Sequence, residues 1–77
     1  MEEKILSILR EIKEEIVHYS GTQMLEDEVI DSFDVMEIVA AIEDVFEIEI
    51  DPDLIISENF ATVSAIVEMV NSCMNEA

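Results

Sequence analysis

At 77 residues the chain has room for one domain, spanning 1–77, with a modest core and marginal stability. Apolar residues make up 51% of it, enough for compact folding and against wholesale disorder. A net charge of −17 repels nucleic-acid phosphates and anionic lipid headgroups, which excludes those partners and favours basic ones.

The first predicted helix covers residues 2–19. At ~100° per residue, Ile5, Ile8, Leu9, Ile12, Ile16 and Tyr19 share one face about 100° wide. Gly21 suits its C-terminal stop. The chain's three bases, Lys4, Arg10 and Lys13, lie here beside Glu2, Glu3 and Glu11, so residues 1–13 sum to zero. Residues 14–77 hold the other 17 acids and no Lys or Arg. An irregular segment of about ten residues follows to Asp31, long for a helix connection. Met24, Leu25, Val29 and Ile30 can pin it to the core.

Asp31 is a good N-cap for a second helix over 32–47, with Asp34 favourably placed in its first turn. Val35, Ile38, Val39, Ile42, Val45 and Phe46 fall in an arc of about 120° and form its core face. Next, Ile48-Glu49-Ile50 alternates like a short strand, but no second strand is available to pair with it. Asp51-Pro52 could open one helical turn and 57–60 another, so the stretch reads as a loop with one short helix. Thr62 can cap a last helix in which Val63, Ile66, Val67, Val70, Cys73 and Met74 share a face. The expected fold is all-α: a small four-helix bundle with three longer helices, one short helix and a long first loop.

No apolar run reaches the ~18 residues of a membrane span. Met1 is followed by Glu2 and Glu3, so a signal peptide is not expected. Cys73 is the sole cysteine, which suits a reducing, cytoplasmic setting without an internal disulfide.

The second helix has another face. Phe33, Met36 and Ala40 lie within about 60° of one another, opposite the core arc. Glu37, Glu43, Asp44 and Glu47 flank them. The strip either tucks under the neighbouring loop or serves as a docking face, with apolar contact area and an acidic border that steers a basic partner. Ser32 stands at its start, at the first helical position. A capping serine is the plain reading, but Asp31 already fills that role and frees Ser32 to point outward. His18, the only histidine, belongs to a different helix, so no base is at hand to make Ser32 a nucleophile.

Other sites fail. Glu43, Asp44 and Glu47 read as a solvated helix face rather than acid–base machinery. Asp51 and Asp53 open like a calcium loop, but Ile56 and Thr62 stand where its glycine and final glutamate belong, so no dedicated metal site is expected. His18 suits the negative end of the first helix and has no partner at ligand spacing. Cys73 is either a packing residue or, on an exposed terminal helix, a reactive thiol.

The stretch 31–39 (DSFDVMEIV) continuing through 42–50 (IEDVFEIEI) resembles the acyl carrier protein family. The helix order, the long first loop and the Thr62-Val63 opening of the last helix extend the likeness to nearly the whole chain. The resemblance implies that Ser32, preceded by Asp31, carries 4′-phosphopantetheine donated by coenzyme A through a phosphopantetheinyl transferase. Acyl intermediates of fatty acid or related biosynthesis would then ride as thioesters on a non-catalytic, monomeric carrier. It also implies that Glu37, Glu43 and Asp44 meet basic patches on loading and synthase enzymes, with Phe33, Met36 and Ala40 as the apolar contacts. Fatty acid carriers usually have Gly two residues before the serine; here Val29-Ile30 precede Asp31. That form is closer to D-alanyl carriers and to stand-alone carriers loaded by adenylating ligases, and Leu54-Ile55-Ile56 is more apolar than the usual acidic segment. A D-alanyl or aminoacyl cargo therefore stays open, as does a cofactor-free acidic interaction protein.

Overall fold

The structure is a computed structural model and describes residues 2–75. Four α-helices form an all-α bundle: α1 (Glu2–Ile12), α2 (Glu15–His18), α3 (Ser32–Phe46) and α4 (Val63–Asn75), with 3₁₀ turns at Pro52–Leu54 and Ser57–Phe60. Three are long and one is short, as expected, but the short one is not where the sequence pattern put it. It is the detached last turn of the first predicted helix. After the Lys13 N–H bonds back to Leu9 O, the N–H groups of Ile16 and Val17 bond only three residues back, to Lys13 and Glu14. That tightening splits α1 from α2 and still leaves Ile16 fully buried in line with Ile5 and Leu9.

Gly21 does not act as a left-handed helix stop, since no glycine has positive φ and the chain leaves α2 through an extended Tyr19. Its hydrogen is needed for space: the Tyr19 phenol lies where a Cβ would stand. That phenol accepts from Gln23 N–H at 2.7 Å and donates to the Asp27 carboxylate, closing the start of the loop. Lost hydration and then the Asp27 carboxylate hold Tyr19 above the usual phenol range.

The long loop is anchored as firmly as the helices. Met24 and Ile30 are two of the ten largest side chains that are fully buried, each such burial contributing about 1.5–3 kcal/mol. Met24 N–H also bonds to Ala61 O at 3.0 Å, and Met24 O accepts from Val29 N–H, so the loop is tied across to the start of α4.

In α3, Val35, Ile38, Val39 and Ile42 face the core, while Val45 is 47% exposed. Val45 lies at the edge of the core arc, where it is left open to solvent and borders a groove with Ile8 and Lys4 of α1. The 48–50 stretch is an irregular connection, and no strand is present among the described residues. Ile50 is buried by it and Ile48 half-buried. Thr62 caps α4 through Ala65 N–H at 3.0 Å. The buried face of α4 is turned toward Met69, leaving Met74 40% exposed; Met69 lines a cleft together with Leu54 and Asn59 of the 3₁₀ turns.

Candidate functional site

The start of α3 is built from opposed acids. Asp31 is extended, and its Oδ1 accepts from Asp34 N–H at 3.0 Å. Asp34 Oδ2 reaches back to Asp31 N–H at 3.1 Å, a reciprocal capping box. The sequence pattern supplied the cap; the return bond from Asp34 is added by the structure. Buried Ile30 anchors the chain just before the cap. Because the Asp31 carboxylate takes the Asp34 N–H, the capping task does not fall on Ser32, which is exposed at the first helical position.

Lys13 comes to the same place from the end of α1. Its Nζ lies 3.3 Å from Asp34 Oδ2, with the lysine side chain 34% and the aspartate 17% exposed. Lys13 also lines a cleft of about 360 Å³ with Glu28, Ile30 and Asp31. Ser32 itself borders a second cleft, of about 240 Å³, walled by Val35, Met36, Ile55, Ile56 and Phe60, with no charged side chain in its lining. Leu25 borders both clefts and separates the polar one from the apolar one. Sequence reasoning missed this apolar cleft. Its one visible sign was the unusually apolar 54–56 segment.

Along α3 away from Ser32, Phe33 is 79% and Met36 58% exposed. Ala40, Glu37, Asp44 and Glu47 are exposed with them, so the strip and most of its border share the solvent side. Ile56, 47% exposed, lines the same cleft as Met36 and adds to its apolar surface. Glu43 stands apart. It is half-buried, and its Oε2 accepts from Ile50 N–H at 2.9 Å, which fastens the connection after α3.

The rejected sites sit elsewhere. His18 is exposed on α2 with Nε2 3.7 Å from Glu14 Oε1. Asp51 Oδ1 is used by Asp53 N–H to cap the first 3₁₀ turn. Among the described residues no cluster of three His, Cys, Asp or Glu side chains is arranged to hold a metal ion. Cys73 is half-buried against the core. Among the described residues no helix is long and apolar enough to cross a membrane.

A short helical bundle presenting an exposed serine at a helix start, beside an apolar cleft, has the form of a carrier domain. The family model described as the phosphopantetheine attachment site matches residues 3–70, most of the chain, and the chain belongs to that family. Its members are carriers that hold 4′-phosphopantetheine covalently and work with phosphopantetheinyl transferases and partner enzymes. No curated protein and no solved structure matches the chain significantly.

Proposed function

We propose that the protein is an acyl carrier whose Ser32 hydroxyl forms the phosphodiester to 4′-phosphopantetheine, with acyl intermediates borne as thioesters on the arm for fatty acid or related biosynthesis. One observation carries the reading. Ser32 is exposed and relieved of capping by the Asp31–Asp34 box, and it borders an apolar cleft that an arm rooted there can enter. An exposed hydroxyl gives a transferase access, and the positive end of α3 favours an anionic linkage. The cofactor supplies the thiol and its thioester chemistry; this chain presents, steers and shelters.

The cargo reading rests on the cleft lining. Val35, Ile55 and Phe60 with Met36 offer apolar contact and no counter-charge, which suits a hydrocarbon chain better than the ammonium of a D-alanyl or aminoacyl group. Ile30 in place of the usual glycine is what favours that second cargo. Its side chain is fully engaged in the core, so it speaks to loop packing rather than to cargo recognition.

The docking surface is proposed to comprise Phe33, Met36 and Ala40 edged by Glu37, Asp44 and Glu47, with Glu43 at its margin. Weak electrostatic attraction to basic enzyme patches lets a cytoplasmic, monomeric, non-catalytic carrier bind and leave quickly. Incubation with coenzyme A and a broad-specificity phosphopantetheinyl transferase tests the assignment by intact mass. The wild type should gain one pantetheinyl phosphate and Ser32→Ala none; an equal gain in Ser32→Ala, or none in the wild type, would reject it.

A further inference from the structure

Three carboxylates crowd the place where this family's cofactor adds one more negative charge. Asp31 and Asp34 form the capping box on either side of Ser32, and Glu28 shares a cleft with Asp31. The helix N-terminus is already partly spent on Asp34 N–H and the Asp31 cap. A phosphodiester on Ser32 therefore keeps the favourable helix dipole but joins an anionic cluster that already uses the Asp34 N–H.

One cation faces that cluster. Of the chain's three bases, Lys4 borders the groove with Val45 and Arg10 is exposed on α1; Lys13 alone lines the cleft beside the cap. Its ammonium is 3.3 Å from the Asp34 oxygen that also accepts from Asp31 N–H. That places it roughly two hydrogen-bond lengths from the backbone next to Ser32, well inside the ~10 Å over which charges at a protein surface feel one another. An ammonium has three donors, and Asp34 uses one.

Resting on the assignment of Ser32 as the attachment residue, we propose that Lys13 is the built-in counter-ion of the Ser32-linked phosphodiester, sharing its ammonium between Asp34 and the phosphate. The linkage forms when the Ser32 oxygen attacks the pyrophosphate phosphorus of coenzyme A nearest pantetheine. A new O–P bond replaces the one to the departing adenosine 3′,5′-bisphosphate, and the hydroxyl proton passes to a base supplied by the transferase. The product carries one more negative charge at the cap than the free hydroxyl did. Lys13 offsets it, and the break between α1 and α2 immediately after Lys13 brings the lysine to the end of α1, facing the cap.

A thermal cycle isolates this role from any function of Lys13 as a plain strut between α1 and α3. Apo and fully modified forms of wild type, Lys13→Met and Lys13→Arg are melted at low salt, with intact mass confirming complete modification. The change in midpoint on modification should be about 2–4 °C more favourable in wild type than in Lys13→Met. Lys13→Arg should behave as wild type, and ~0.5 M salt should erase the difference. A strut lowers apo and modified forms of Lys13→Met equally, so equal changes on modification in all three proteins overturn the proposal. In the unmutated protein, the side-chain NMR resonances of Lys13 should move on modification while those of Lys4 stay put. Unmoved Lys13 resonances likewise overturn it. Absence of any mass gain overturns the attachment reading, and this inference with it.

Discussion

The two ends of α3 treat the same physical problem in opposite ways. At the N-terminal end, Asp31 and Asp34 each take the other's N–H in reciprocal hydrogen bonds, with Lys13 paired to Asp34. Negative charge there agrees with the helix dipole. At the C-terminal end, Glu43, Asp44 and Glu47 cluster where the dipole is negative, and the last turn contains no base. The chain then turns through Glu47 in a left-handed conformation, φ 54°, where glycine would be the unstrained choice. One end is arranged for stability; the other gives stability away.

That contrast separates fold from function among the acids. Glu43 is explained by the fold, because its carboxylate satisfies Ile50 N–H. Asp44 and Glu47 have no comparable task among the described residues and oppose the dipole, which is why we propose them for the docking surface. Phe33 and Met36 follow the same logic on the apolar side: their exposure costs solubility and returns nothing to the core.

Substitutions can break or sharpen this division. The largest effect is expected at Glu43. Glu43→Ala strands the Ile50 amide and should lower stability by about 1–3 kcal/mol in denaturant melts, while Glu43→Gln keeps an acceptor and should lose far less. If the two variants were equally destabilised, charge rather than the hydrogen bond would be what Glu43 contributes. Next comes Asp31→Ala, which removes the cap and should cost about 1 kcal/mol. The smallest change has the opposite sign. Glu47→Gly relieves the left-handed strain and one misplaced charge, and should raise stability by about 0.5–1 kcal/mol; the same variant should slow modification at low salt if Glu47 steers the transferase. A loss of stability in Glu47→Gly would contradict the view that this end is built at the fold's expense.

Much of this was readable from residue order, for local reasons. The face of α3, the Asp31 and Thr62 caps and the loop anchors Met24 and Ile30 each follow from spacing or from one residue's hydrogen-bonding habit. What could not be read depended on neighbours far along the chain. The apolar cleft joins Leu25, Val35 with Met36, and the 55–60 segment, three pieces that periodicity cannot bring together. Val45 and Met69 changed places between core and surface because coverage by the rest of the chain decides burial at the edge of an arc. The break after Lys13 was invisible because a single turn of tighter hydrogen bonding leaves the apolar spacing of Leu9, Ile12 and Ile16 intact.

The central claim is a single attachment point, and Ser7, Ser20, Ser57, Ser64 and Ser72 provide internal controls. Fragmentation mass spectrometry of protein modified from coenzyme A tests it most directly. The account predicts that the whole added mass resides on fragments containing Ser32; the arm on Ser57, across the same cleft, or on any of the other serines would contradict it.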